Sequence, residues 1–312
     1  MIWPWQDGEL GFSWLKASTL ALMFVPAISL VHDLATGEFG PVPLGGLTYW
    51  SGVWATAILM LALAITPAST IFLWRRLIIV RRMIGVTALA YTIAHIIIYF
   101  ALRFWNFAFI VNEIVTRLSL IVATISTIGL IALGATSVNA AVRHMGAKGW
   151  QQLHNAVYVV TALALLHYLL SPGLFPDQFL MSGIFFWLMV WRVVDQRGKG
   201  TNAAALALLA VASCIFTAVL EVGWIWAFRG YALREIFSIY FTSILGIPPV
   251  WTILALGLLI AAAAFAQQVL RLRGISPSPS SGRARVGLFP RRALPVSRDP
   301  ALRATLPEDG ER

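Results

Sequence analysis

The chain is 312 residues long, with 59% hydrophobic and 12% charged residues and a mean hydropathy of +0.80. A soluble globular chain is about 45–50% apolar and about 25% charged, so too few polar side chains remain here to cover a water-facing surface. The net charge of +10 comes from 23 basic residues scattered between apolar runs, a pattern that fits membrane topology rather than nucleic-acid binding.

The lone cysteine, Cys214, allows neither an internal disulfide nor a cysteine metal cage. Met1 to Leu10 carries no basic segment ahead of the first apolar run. That run is therefore expected to stay as a helix rather than to be cleaved as a signal peptide.

A bilayer core of ~30 Å needs roughly 20 apolar residues per helix. In chain order, the segments that qualify are Ser13–Leu34, Trp50–Thr70, Met83–Leu102, Leu118–Thr136, Trp150–Leu170, Phe179–Val194, Ala203–Phe228 and Val250–Leu270. Backbone groups in lipid must be satisfied internally, and no alternating strand pattern argues for a barrel. The expected fold class is an all-α integral membrane bundle.

Pro26 is expected to kink the first span, and Lys16 to snorkel to the surface. Glu221 in the seventh span is costly unless protonated or paired, with Arg229 the nearest basic residue on its helix. Arg75, Arg76, Arg81, Arg82, Arg143, Lys148, Arg197 and Lys199 fill the even-numbered loops, which are therefore expected to face the cytoplasm with both termini. Trp50, Trp54, Trp105, Trp224 and Trp226 fall near helix ends, as an interfacial belt requires.

Beyond Leu270 the composition changes to a run of serine, proline and arginine, with nine arginines against four acids up to Arg312. A disordered basic tail over 271–312 follows from this, with contact to anionic lipid as one use for it. The tail is too short for a nucleotide-binding domain, and no Gly-x-Gly-x-x-Gly follows a strand pattern.

Chemistry points to the histidines. Of His32, His95, His144, His154 and His167, three fall in or at the ends of spans: His95 in the third, His154 and His167 in the fifth. Ionisable side chains within membrane helices are rare and usually functional.

His154 and His167 are 13 residues apart, or about 20 Å along an ideal helix at ~1.5 Å per residue. They are about 140° from co-facial at ~100° per step. One metal site cannot hold both. Two sites at different depths fit, and His95 is nearer in depth to His167.

Two imidazoles from different helices are the ligand set of a bis-histidine haem. Zinc needs more ligands at one depth, and no Cys, Asp or Glu accompanies them. Packing histidines in a transporter or structural protein are the bland alternative.

The neighbouring residues carry a resemblance. Arg81-Arg82-Met83-Ile84-Gly85, followed by Tyr91-Thr92-Ile93-Ala94-His95 and Tyr99, is similar to the third helix of the haem-binding membrane subunit of the bacterial periplasmic methionine-sulfoxide reductase system, the MsrQ family. Gly149-Trp150-Gln151-Gln152-Leu153-His154-Asn155-Ala156-Val157-Tyr158, continuing to Leu166-His167-Tyr168 and Ser171, resembles that family's fifth helix. Weaker matches are Ile65-Thr66-Pro67, Val115-Thr116-Arg117 and Thr136-Ser137. The resemblance covers roughly residues 10–195.

It implies a six-helix b-type haem core over 1–195, with two further helices over 196–270. It also implies electrons drawn from the quinone pool and passed to a periplasmic molybdopterin subunit, which holds the catalytic site and reduces methionine sulfoxide. By matching position His95, His154 and His167 become haem-iron ligands, for one haem or two. Flavin mononucleotide is associated with the family, although no residue here marks its site. The implied location is the bacterial inner membrane.

The sequence departs from two-haem relatives in that Arg81 or Arg82 stands where an inner ligand is expected. His144 in a loop is a remote substitute, and His32 is expected at the interface. Arg81 and Arg82 suit a haem propionate or a quinone as well as they suit topology. A transmembrane ferric-type metal reductase is the rival reading.

Overall fold

The computed structural model describes residues 5, 11–171, 176–230, 232, 234 and 247–272. Regular structure among the described residues is helical: α1 Trp14–Thr36, α2 Pro43–Ile71, a 3-10 helix over Arg75–Val80, α3 Arg81–Leu102, α4 Phe107–Thr116, α5 Leu118–Ala135, α6 Asn139–His154, α7 Val157–Leu170, α8 Pro176–Gln196, α9 Ala203–Arg229 and α10 Pro249–Leu272. Among the described residues eight stretches are long and apolar enough to cross a membrane, with the 3-10 helix joined to α3 and α6 joined to α7. They coincide with the eight hydropathy segments, and the fold is the expected all-α membrane bundle.

Residues Met1–Gln268 form one compact unit, and a second runs from Val269 to Arg312. Of the second unit only Val269–Leu272 is described, so the expected disordered tail lies outside the described residues from 273 onward. Parts of the connections 171–178 and 229–249, and the Arg229 side chain, are likewise outside them.

The bundle is organised around α2, which has the longest roll of buried residues of any helix. One side packs Ile58, Leu59 and Ala62 against Ile84 and Ala88 of α3, Leu130 of α5 and Val160 of α7. The other packs Met60 and Leu63 against Leu165 of α7, Trp187 and Trp191 of α8, and Leu206 and Leu209 of α9. Outward positions remain apolar: Ile121, Ile125, Ile128 and Ile131 of α5 are all exposed. In a bilayer these faces meet lipid, so helix contacts depend on close packing more than on hydrophobic burial. Gly129 illustrates the point, since a Cβ there would collide with Val160 of α7.

Pro26 lies inside α1 as expected. Next to it, the Tyr91 hydroxyl accepts from the Ala27 amide at 2.9 Å and donates to the Met23 carbonyl at 2.7 Å. These are the two groups that bond each other in an unbroken α-helix, so a side chain from α3 stands in the ladder of α1.

Three expectations need correction. The connection over 103–117 is not simply a loop, because α4 forms within it. Its N-cap Asn106 accepts from the Phe109 amide, and Glu113 is drawn inward by cationic partners described below. The connection after Ser137 is also partly helical, since α6 begins at Asn139.

The fifth span is not one straight helix. Gly146 has φ 71°, ψ 159°, a conformation essentially restricted to glycine. At Asn155–Ala156 the amides of Ala156 and Tyr158 bond three residues back, to Leu153 and Asn155, which interrupts the i→i−4 ladder. His154 ends α6 while His167 lies in the last turn of α7.

Candidate functional site

His95 projects from α3 onto α2. Its Nδ1 lies 2.9 Å from the Thr48 carbonyl and 3.1 Å from the Ser51 hydroxyl. A carbonyl only accepts, so the imidazole proton sits on Nδ1 and Nε2 keeps a free lone pair. The ring approaches this closely because residue 52 is glycine: a Cβ there would stand 3.0 Å from His95 Cε1 and 3.2 Å from Nδ1.

His167 is held in the same way from the other side of the bundle. Its Nδ1 donates to the Ser119 carbonyl of α5 at 2.9 Å, and the Ser171 hydroxyl caps its own carbonyl at 2.8 Å. The His95 and His167 rings are near enough for direct electrostatic interaction. Metal-ligating imidazoles characteristically donate their second N–H to a carbonyl or carboxylate, which fixes the ring and its tautomer. Both rings satisfy that condition.

His154 has different surroundings. It stacks on Trp150 with centroids 3.8 Å apart and an interplanar angle of 25°. Its Nδ1 donates to the Trp150 carbonyl at 3.2 Å, and Ser137 Oγ lies 3.3 Å from Nε2. Arg81 and Arg82 are close enough to act on it electrostatically. The structure thus brings His95 and His167 together and leaves His154 at the arginine-rich end. His32 and His144 are exposed. Among the described residues no three His, Cys, Asp or Glu side chains gather as a metal site.

The Arg82 guanidinium donates to Asn139 Oδ1 at 2.7 Å, tying α3 to α6. The resemblance motifs also find structural work. Trp150 Nε1 donates to the Thr136 carbonyl, and Tyr99 donates to Glu113 Oε2 at 2.7 Å.

Two carboxylates escaped the sequence reading. Glu113 of α4 is 3% exposed and meets Arg103 Nε at 2.7 Å and Arg117 Nη2 at 2.9 Å. Asp177, in the first turn of α8, accepts from the Tyr49 hydroxyl at 2.7 Å and also from Tyr168. The rarity of acids between long apolar runs was the available signal, since such charges persist only when paired.

The helical fold, with its eight apolar spans among the described residues, is that of a polytopic membrane protein of the ferric-reductase-like type. The profile of the family described as ferric reductase like transmembrane component matches residues 51–165, which run from α2 into α7 and contain His95 and His154, with His167 two residues beyond the match. The chain is 34% identical over 185 residues to the protein-methionine-sulfoxide reductase heme-binding subunit MsrQ of Azospira oryzae, covering 58% of this chain and 79% of that protein. It is 32% identical over 196 residues to the MsrQ of Caulobacter vibrioides, covering 62% and 90% respectively. The magnetosome protein MamZ of Paramagnetospirillum magneticum is 33% identical over 160 residues, half of this chain and 25% of its own length. No solved structure matches. The chain belongs to the MsrQ family of heme-binding subunits.

Proposed function

We propose that this chain is a haem-binding electron-transfer subunit serving a protein-methionine-sulfoxide reductase, as its MsrQ relatives are named. The observation that carries the reading is the His95–His167 pair, with each Nδ1 committed to a main-chain carbonyl and each Nε2 left available. His95 and His167 would hold a b-type haem, which would supply reversible one-electron transfer. The chain's part is to fix the two rings and to surround them with apolar helices that keep water out. The reaction on the sulfoxide takes place on the partner.

Several finer features belong to the same proposal. Residues 1–195 form the haem-binding core, 196–270 an added helical pair and 271–312 a basic tail. The protein sits in the bacterial inner membrane with the arginine-rich loops and both termini in the cytoplasm. His95 and His167 then lie toward the periplasm, where a molybdopterin-containing catalytic subunit docks. Electrons enter from quinol. His154 remains a candidate ligand for a second haem, although its Nε2 faces Ser137. Flavin mononucleotide is carried over from the family without a residue to anchor it.

A reduced-minus-oxidised visible spectrum of the purified chain tests this reading. Sharp b-type bands that vanish in His167→Ala support it, and an unchanged spectrum in that variant removes the ligand assignment. The rival reading is a transmembrane metal reductase, after the printed description of the matching family profile. Reduction of ferric chelates, with no electron delivery to a sulfoxide reductase, would select that alternative.

A further inference from the structure

The two histidine-bearing regions are joined at one end by a single carboxylate. Thr48, whose carbonyl takes the His95 Nδ1 proton, is followed by Tyr49, and His167 is followed by Tyr168. The phenols of Tyr49 and Tyr168 lie 3.1 Å apart, oxygen to oxygen. Both donate to Asp177, with Tyr49 Oη 2.7 Å from each carboxylate oxygen and Tyr168 bonded to Oδ2. Their rings also meet, with centroids 6.3 Å apart. α2, α7 and α8 therefore converge on one charged acceptor, one residue along the chain from the carbonyl that orients His95 and from His167 itself.

We propose that Asp177 is a positioning residue for the paired imidazoles, acting through Tyr49 and Tyr168. This rests on the haem reading above. Hydrogen bonds to an ionised acceptor are about twice as strong as neutral ones, and in a low-dielectric setting they hold a fixed geometry. With both phenols on one carboxylate, α2 cannot slide or rotate against α7 without breaking a charged bond. The separation and ring orientation of His95 and His167 follow from that register. Packing alone leaves the register looser, because apolar helix faces in lipid have little preference between neighbouring alignments.

The test uses the full-length, haem-loaded protein in detergent and compares Tyr49→Phe, Tyr168→Phe, Asp177→Asn and Asp177→Glu. The readouts are haem per polypeptide, the low-spin electron paramagnetic resonance g-anisotropy, which reports axial-ring orientation, and the midpoint potential. We expect haem to be retained in the Tyr→Phe variants. The g-anisotropy and potential should shift in both of them and further in Asp177→Asn, and return toward wild type in Asp177→Glu.

Wild-type signals in both Tyr→Phe variants and in Asp177→Asn overturn the proposal. Each Tyr→Phe change removes one oxygen atom, so these two decide the matter even if Asp177→Asn does not accumulate folded. A wild-type protein without haem defeats the underlying reading instead. Haem present with unmoved variant signals defeats the positioning role alone.

Discussion

The Arg192 guanidinium of α8 donates to the main-chain carbonyl of Leu63 in the middle of α2, at 3.0 Å. That carbonyl lacks its usual partner because the residue four positions on is Pro67, which has no amide hydrogen. Arg192 also donates to the Tyr158 hydroxyl of α7 at 3.1 Å and to the Leu188 carbonyl at 2.6 Å, and its guanidinium lies 4.8 Å from the centroid of the Tyr158 ring. One cation therefore repairs the break in α2 and ties three helices together.

This relationship predicts a coupled pair of substitutions. Arg192→Ala should destabilise by about 1–3 kcal/mol, the cost of a buried acceptor left unmade. Pro67→Ala restores an amide to Leu63, so the double variant should be less destabilised than Arg192→Ala alone. A thermal-unfolding double-mutant cycle in detergent checks this; simple additivity would deny the coupling.

His95→Ala and His167→Ala should each abolish most haem binding, because each removes one of the two proposed ligands. His154→Ala should leave the b-type spectrum and a haem-to-polypeptide ratio near the wild-type value, given that its ring is engaged by Trp150 and Ser137. Haem quantified against protein for all three variants is the measurement. A halved ratio in His154→Ala would instead assign it to a second haem.

Gly52→Ala should reduce haem occupancy although residue 52 carries no ligand. The added methyl would stand 3.0–3.2 Å from the His95 ring, so the imidazole must shift by a few tenths of an ångström against the Thr48 carbonyl that fixes it. Haem titration of the apo-protein should show weaker binding, with Gly52→Val weaker again.

Glu113→Ala should lower the melting temperature of the chain. The carboxylate is 3% exposed and joins Arg103, Arg117 and Tyr99, and its removal leaves those donors unmatched at a cost of about 1–3 kcal/mol. Glu113→Gln should recover part of the loss, because an amide oxygen still accepts from Tyr99.

The number of spans, their helical nature and the histidines worth attention were legible in the sequence. A bilayer demands some 20 apolar residues per crossing and satisfied backbone groups, and a titratable ring in such a run is conspicuous. Axial position along each helix follows from the fixed rise per residue, and it was the basis for expecting His95 nearer His167 than His154.

Which main-chain carbonyl each ring meets, Thr48 for His95 and Ser119 for His167, was decided only by tertiary structure. Rotation between helices depends on where glycines such as Gly52 and Gly129 permit close approach and where the ladder breaks at Asn155–Ala156. Asp177 and Glu113 looked like connection residues because their partners, Tyr49 and Tyr168 for one, Arg103 and Arg117 for the other, acquire meaning only once helices are placed side by side. Hydropathy fixes how far along a membrane helix a residue sits; packing in lipid, where every apolar face is equally content, fixes the direction in which it points.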